Sequence, residues 1–433
     1  MKRFPVQTAI TIAAIGALLA AAPLLIPRLT RLRFSQIAAL AEFTPERTPL
    51  SPLVPHEEPP RPSMLLDDSN GSLDSFYKAL RRTEKRTSGA VTRIVHYGDS
   101  PTTADLITGD VRALLQQHFG DAGHGFIFVA KPWAWYQHRG VELSGSGWRA
   151  RPASRFEAHD GFFGLGGVSF TGADSARTRI LLRDPGQSNF ELSYLREPGG
   201  GAIAISTNGH EVTRIFTEGG AKAPGFATFT IAGGASTLEL QPVGSVRVFG
   251  LTAEKPGPGV VYDSLGLNGG SITVLSHIFE PRHWAEELRH RRPDLVIINY
   301  GTNEADFAAF VDSGYEKELR EAIRRVRQAL PRTSILMMSP MDRGHRVAGG
   351  AIETMDTIPR IVKIQSRVAR ETGCAFFDTF AAMGGAGTMA RWYAAQPRLV
   401  SADLIHPYPA AGKQIATVFV REIEAGLARA KIR

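Results

Sequence analysis

The chain has 433 residues, of which 43% are hydrophobic and 21% charged, the balance of a globular protein that can bury a core. It is long for one domain, so a second folded unit or a large insertion is expected. The net charge is +8, yet five of the 50 lysines and arginines lie in residues 1–33, where no acidic residue occurs. Residues 34–433 therefore carry 45 basic and 42 acidic residues, which excludes nucleic-acid binding through a global basic field.

The cysteine and histidine content limits the chemistry further. Cys374 is the single cysteine, so an intrachain disulfide is excluded. It lies in an apolar run, as an inert buried thiol does. Without a second cysteine or a histidine pair at ligand spacing, neither a metal site nor another cofactor is expected.

The N-terminus carries a 21-residue apolar stretch, Val6 to Ile26, behind the basic start Met1-Lys2-Arg3. This length can cross a bilayer. The small residues at 20–22 resemble a signal-peptide cleavage site, but Pro23 follows them and should hinder cleavage. We therefore expect residues 1–27 to be an uncleaved inner-membrane anchor, with the rest of the chain at the periplasmic face. A cleaved signal that leaves a soluble periplasmic protein stays open. A cytoplasmic location also stays open, because three arginines follow the stretch.

Residues 28–66 are predicted to form a linker. Seven prolines occur among the 18 residues from Pro45 to Pro62, with little aliphatic content. Such a segment prefers extended polyproline conformations and acts as a semi-rigid spacer.

Residues 67–139 and 259–433 alternate between helical and strand patterns. Helical spacing is found in 72–85, 105–119, 316–330, 358–372 and 410–431, and short apolar strands in 93–97, 260–263, 295–299, 334–338 and 375–378. Continuous apolar strands between amphipathic helices predict an α/β domain whose parallel sheet is covered on both faces. In such sheets, reactive groups gather at the carboxyl ends of the strands.

Residues 140–258 differ from the rest, because they hold 21 of the 44 glycines and no convincing helix. Short alternating runs recur, and Asn208-Gly209 between two of them is a strong signal for a two-residue hairpin. We predict an all-β sandwich inserted into the α/β domain.

The first candidate site is Gly98-Asp99-Ser100-Pro101, between a predicted strand and a predicted helix. A serine placed there faces a helix N-terminus, which favours developing negative charge. An ordinary Ser-Pro helix start explains the motif equally well when it is taken alone. Pro101 has no N–H, so Ser100 cannot be the nucleophile of an α/β-hydrolase elbow, where the next residue donates to the oxyanion.

Three further candidates follow in chain order. Gly269, in Asn268-Gly269-Gly270, lets the backbone approach a ligand closely. Asn303, in Gly301-Thr302-Asn303, offers an amide donor after a strand. Asp403 and His406, three residues apart, can bring a carboxylate to one nitrogen of the imidazole ring. Each of these, taken singly, is better explained by a turn or a surface loop.

Together and in this order, the four blocks resemble the signature of the SGNH (GDSL) hydrolase superfamily. Residues 98–109, 119–125, 382–385 and 389–392 resemble the peptidoglycan O-acetylesterase branch in particular. The resemblance implies a flavodoxin-like three-layer α/β domain. It also implies an inserted β-sandwich similar to a carbohydrate-binding module, which fits residues 140–258. Pro101 departs from the relatives, which often have histidine there.

The resemblance also implies site roles. Ser100 is expected to be the nucleophile, His406 its base and Asp403 the partner of His406. The Ser100 and Gly269 amides and the Asn303 side chain are expected to form the oxyanion hole. The implied activity is removal of O-acetyl groups from a cell-envelope polysaccharide such as peptidoglycan.

Two alternatives stay open at this point. One is an O-acetyltransferase that uses the same residues, and the other is a weakly catalytic polysaccharide-binding or scaffold protein. The expected partners are an acetylated glycan and the inner membrane, and no nucleic acid. The sequence specifies no protein partner.

Overall fold

The computed structural model describes residues 64–155 and 159–430. The predicted membrane anchor and all of the predicted linker up to residue 63 lie outside the described residues. Among the helices in the described part of the chain, none is both long and apolar enough to cross a bilayer.

Nineteen strands are found in the described residues. In chain order they are β1 (Leu66–Asp67), β2 (Val91–Gly98), β3 (Gly123–Ile127), β4 (Val141–Ser146), β5 (Arg149–Pro152), β6 (Val168–Gly172), β7 (Arg177–Leu182), β8 (Asn189–Arg196), β9 (Ala202–Thr207), β10 (His210–Phe216), β11 (Ala223–Thr230), β12 (Thr237–Val243), β13 (Val246–Glu254), β14 (Gly259–Gly266), β15 (Leu295–Asn299), β16 (Ser334–Met338), β17 (Gly344–Arg346), β18 (Ile352–Thr354) and β19 (Ala375–Phe377).

The α-helices lie mainly in the α/β part. In chain order they are α1 (Asp74–Glu84), α2 (Ser100–Thr103), α3 (Thr108–Phe119), α4 (Pro281–Arg291), α5 (Ala308–Ser313), α6 (Tyr315–Ala329), α7 (Thr357–Glu371), α8 (Thr379–Ala382), α9 (Thr388–Ala394) and α10 (Pro409–Ala430). A π-helical turn, Val274–Ile278, and a 3₁₀ turn, Glu304–Asp306, complete the helical segments of the described chain.

The central sheet has the order β1-β19-β16-β15-β2-β14. All neighbours pair in parallel except β1, which is antiparallel to β19. The five parallel strands, counted along the chain, lie in the order 2-1-3-4-5, which is the flavodoxin-like arrangement. The strand order reverses between β2 and β15.

Both faces of this sheet are covered, as the continuous apolar strands predict. Along β15, Leu295 and Ile297 pack in the hydrophobic cluster that also contains the buried residues of α1, α3 and α10. Val296 and Ile298 pack in the cluster that contains those of α4, α6 and α7. The predicted mixed α/β fold with a parallel sheet is therefore confirmed.

The glycine-rich region forms two antiparallel sheets, with the orders β10-β9-β12-β7-β4 and β11-β8-β13-β6-β5. Inward side chains of both sheets, such as Ile180 and Leu192, share one hydrophobic cluster. The predicted hairpin at Asn208-Gly209 joins β9 to β10, and both turn residues have positive φ, 51° and 78°. These are the values that a two-residue hairpin turn requires.

The insertion and the α/β domain are more closely joined than the predicted boundary at residue 140 implies. Strand β3, which precedes that boundary, pairs with β13 through Ile127 and Leu251. The side chains of the insertion and those on one face of the central sheet belong to a single hydrophobic cluster. Helix α4 also packs against β11.

Some elements differ from the sequence patterns. The helix expected from Asp105 begins only at Thr108, because Asp105 has φ 54° and ends the separate turn α2. Helix α4 is not predicted, although Pro281 at its start is a common helix beginning. The β17–β18 hairpin is too short for its periodicity to be recognised.

Candidate active site

The turn that carries Ser100 depends on two glycines. Gly98 ends β2 and lies in register with Gly266 at the end of β14. A Cβ at Gly98 would fall 2.2 Å from Thr102 Oγ1, and one at Gly266 would fall 2.0 Å from the Thr103 amide nitrogen. The two glycines therefore allow α2 to lie directly on the ends of both strands, with Ser100 as its first residue.

Ser100, His406 and Asp403 form a continuous hydrogen-bonded series. The Ser100 Oγ lies 2.7 Å from His406 Nε2. On the other side of the ring, His406 Nδ1 lies 2.7 Å from Asp403 Oδ2. The serine is 306 positions from the histidine, so only the fold brings them together. In this arrangement the carboxylate orients the ring, and the ring can accept the serine proton.

The loop between Asp403 and His406 is locally strained. Leu404 is buried and has φ 61°, a conformation that non-glycine residues rarely adopt. This bend allows the second Asp403 oxygen, Oδ1, to accept hydrogen bonds from the amides of Ile405 at 2.9 Å and His406 at 3.1 Å. The Ser401 hydroxyl donates to the same oxygen.

These contacts set the ionisation of Asp403. Partial burial alone would raise the pKa of the carboxyl, but the hydrogen bonds from Ser401, from the His406 side chain and from the two amides lower it to about 2. The carboxylate is thus held in the ionised form that a histidine partner needs.

The predicted oxyanion donors lie on neighbouring loops. The Asn303 side chain follows β15 and donates to the Gly270 carbonyl at 2.7 Å. Its amide group has two N–H bonds, so one is left for a ligand. Gly269 has φ 69°, and a Cβ there would meet no atom within 4 Å, so its conformation rather than crowding requires glycine. The Asn303 bond ties the two loops together.

The insertion also contacts this loop. The Ser154 hydroxyl donates to the Asn268 carbonyl at 2.7 Å, one residue before Gly269. Sequence analysis misses Ser154 because no local pattern links residue 154 with residue 268. It also misses Ser401, for which the two-residue spacing to Asp403 is a weak signal.

The position of the site follows from the strand order. Ser100 follows β2 and Asn303 follows β15, the two strands between which the order reverses. Open α/β sheets bind ligands at this switch point, outside the carboxyl ends of the strands. The structure thus brings all five predicted site residues to one edge of the sheet.

A layer of buried acids lies beneath these loops. Asp99 is 3% exposed, and burial raises its pKa to about 6 against the opposing effects of a hydrogen bond to Thr302 and the charge of His406. Glu304 accepts a hydrogen bond from the Ile272 amide at 2.7 Å, and burial raises its pKa to about 7. Both buried acids therefore form hydrogen bonds that support the loops of the candidate site from the interior of the protein.

The other notable residues of the sequence have structural contacts. His96 is buried with Nδ1 2.6 Å from the Tyr262 hydroxyl, and burial lowers its pKa to about 4. His124 is buried against Asp184. Cys374 is buried as predicted, and burial raises the pKa of its thiol.

A flavodoxin-like sheet with a hydrogen-bonded Ser-His-Asp series at its switch point is the arrangement that the resemblance to the SGNH superfamily implies. Residues 235–413 match the model of the GDSL-like lipase/acylhydrolase family. The matched segment includes Gly269, Asn303, Asp403 and His406, but not Ser100. No curated protein sequence matches the chain at a significant level.

Among solved structures, a peptidoglycan O-acetylesterase matches with a TM-score of 0.73 at 23% identity. The match covers 84% of this chain and 99% of the other. The chain therefore has the fold of that protein over 84% of its length. The resemblance to the SGNH/GDSL superfamily and to this branch, drawn from the four blocks, is confirmed.

Other carbohydrate esterases match more distantly. A family two carbohydrate esterase from Clostridium thermocellum, in complex with cellohexaose, is 12% identical with a TM-score of 0.29 and covers 66% of this chain and 99% of its own. An acetyl xylan esterase is 16% identical with a TM-score of 0.28 and covers 37% of this chain and 79% of its own. At these TM-scores neither match bears on the fold or the function of this chain.

Proposed function

We propose that this protein is a serine esterase that removes O-acetyl groups from a cell-envelope polysaccharide such as peptidoglycan. The observation that carries the proposal is the series from Ser100 Oγ through His406 to Asp403, with both contacts at 2.7 Å. It lies in a fold shared with a peptidoglycan O-acetylesterase.

In the first half of the proposed reaction, Ser100 Oγ attacks the acetyl carbonyl while His406 Nε2 takes the serine proton. The carbonyl oxygen becomes an oxyanion, which the Ser100 and Gly269 amides and the Asn303 side chain stabilise. The intermediate collapses, the bond to the sugar oxygen breaks, and that oxygen receives the proton from His406. Ser100 now carries the acetyl group.

In the second half, water attacks the acetyl-serine while His406 takes a proton from it. Collapse of the second intermediate returns this proton to Ser100 Oγ and releases acetate. Asp403 stays ionised throughout, because its pKa is about 2, and it stabilises the imidazolium that forms twice per turnover.

The proposed location is the periplasmic face of the inner membrane, where such a polysaccharide is accessible. The support is the apolar stretch at residues 6–26 behind a basic start, in which Pro23 directly follows the apparent cleavage site at residues 20–22. An alkaline phosphatase fused to the C-terminus is expected to be active. An inactive fusion that is expressed at the same level would contradict the proposed location.

The proposed activity is tested by incubating the purified full-length protein with O-acetylated peptidoglycan, with and without a chitooligosaccharide acceptor. We expect free acetate in both cases, at a rate that the acceptor does not change. Acetyl groups found by mass spectrometry mainly on the acceptor would show an acetyltransferase instead. Binding to the polymer with neither product, in protein that also fails to cleave 4-nitrophenyl acetate, would show a scaffold protein.

A further inference from the structure

A cavity of about 420 Å³ lies beside the proposed catalytic residues. One wall is formed by residues 104–106, which directly follow the helix that begins at Ser100. Pro409, three residues after His406, contributes to the same wall. The segments that follow the two reacting side chains therefore both border this space. Its volume lies within the range of small-molecule sites in proteins.

The other lining residues come from the segment that leads into the insertion and from its first strand, with Lys131, Gln137 and Glu142 among them. Two hydrogen bonds fix this segment to the end of α2 and to the residues that directly follow it. The Gln137 amide donates to the Thr103 carbonyl at 3.2 Å, and the Arg139 amide donates to Asp105 Oδ2 at 2.8 Å. The cavity thus lies between residues of the insertion, such as Glu142, and the segment that follows Ser100.

All but one of the charged side chains that line the cavity form ion pairs. Asp105 pairs with Arg112 at 2.6 Å, and Arg139 pairs with Asp110 at 2.6 Å. Glu142 pairs with Arg183.

Lys131 is the exception. It is exposed and forms no ion pair with the residues in the ranges 64–155 and 159–430. The cavity therefore presents one unmatched positive charge to its occupant, and an occupant that carries a negative charge complements it.

We propose that this cavity is a subsite for an anionic sugar unit of the acetylated glycan, whose carboxylate pairs with Lys131. The inference rests on the proposed function and narrows its substrate to polysaccharides that carry carboxylates near the acetylated unit. The binding energy is remote from the acetyl carbonyl, so it positions the glycan and does not take part in bond breaking.

The test compares Lys131→Met with wild type on three substrates. These are an O-acetylated anionic polymer, the same polymer with its carboxyl groups capped as neutral amides, and 4-nitrophenyl acetate. We expect kcat/KM to fall about tenfold on the anionic polymer, mainly through KM, and to change less than twofold on the other two. Lys131→Arg should recover most of the loss, and 0.5 M salt should reduce the difference between variant and wild type.

The matched control is Lys78→Met, which removes an exposed lysine of α1 and should change none of the three rates. An equal loss for Lys131→Met on both polymers, or no loss on the anionic one, would overturn the subsite. Wild-type protein that cleaves the aryl ester but neither polymer would overturn the proposed function, and the subsite with it. Release from both polymers without a Lys131 effect would overturn the subsite alone.

Discussion

The loops that carry the proposed catalytic residues and the β-insertion reach their geometry in different ways. At the carboxyl edge of the sheet, short-range features hold each loop. Gly98 gives α2 room to lie on the strand ends, and the left-handed Leu404 turns Asp403 toward His406. These features lie within a few residues of the side chains that they position, so each block has a residue spacing that can be recognised in the sequence.

The insertion is held by contacts between residues far apart in the chain. Arg291 of α4 donates to Asp263 of β14 at 2.6 Å and to Glu254 of β13 at 2.6 Å. The same Asp263, fully buried, accepts a hydrogen bond from the Phe126 amide of β3 at 2.8 Å. Removing one partner of such a buried pair costs about 3–5 kcal/mol. The comparison teaches that the insertion shares the hydrophobic core of the α/β domain, so point substitutions test its role better than deletion does.

The largest expected effect lies in the loops that carry the proposed catalytic residues. Ser100→Ala removes the proposed nucleophile and should lower kcat on 4-nitrophenyl acetate by at least about 10⁴-fold. Steady-state kinetics gives the rate, and a melting curve within about 2 °C of wild type checks the fold. A folded variant with more than a hundredth of the wild-type rate would remove Ser100 from the mechanism.

Asn303→Ala tests the oxyanion donor. We expect kcat to fall by about 10²–10³-fold with a much smaller change in KM, because the donor is needed mainly in the transition state. The control is Asn70→Ala, which loses an amide donor to the Arg370 carbonyl on an exposed loop. A change in KM alone would assign Asn303 to ground-state binding.

Glu287→Gln tests the join between α4 and the insertion, where Ser193 of β8 donates to the Glu287 carboxyl at 3.3 Å. Burial raises the pKa of Glu287 from 4.5 to about 8. The folded state therefore holds this proton more tightly than the unfolded chain, and stability is lost as pH rises from about 4.5 through 8.

Glutamine does not ionise, so the Glu287→Gln variant does not lose stability in this way as the pH rises. The melting temperature of Glu287→Gln minus that of wild type should therefore increase by ~5 °C between pH 5 and pH 8. Glu286→Gln, an exposed neighbour on the same helix, should show no such trend. A pH-independent difference for Glu287→Gln would mean that the carboxyl is already ionised in the folded protein.

The smallest expected effect concerns the hydrogen bond between the insertion and the loop that carries Gly269. Ser154→Ala removes the hydrogen bond to Asn268 and should loosen the loop that carries Gly269. A hydrogen bond worth about 0.5–1 kcal/mol predicts a two- to fivefold fall in kcat on the aryl ester. Ser144→Ala, on an exposed face of β4, is the control. Identical kinetics of the two variants would show that the insertion does not support the oxyanion loop.

The sequence by itself determined the elements whose signals are local. Apolar strands between amphipathic helices predicted the parallel sheet, and Asn208-Gly209 predicted its hairpin. The three-residue spacing of Asp403 and His406 predicted their contact, because a short turn allows few arrangements. The pairing of both with Ser100 came from the resemblance to a family.

Only the tertiary structure decided which distant segments meet. It placed β3 on β13, brought Ser154 to Asn268, and arranged a cavity between Lys131 and Pro409. Such contacts form because whole sheets and helices pack on one another, and the residues at the contact carry no periodicity or turn signal of their own. Local pattern encodes which face of an element is buried, whereas packing of the complete core selects the partner that covers it.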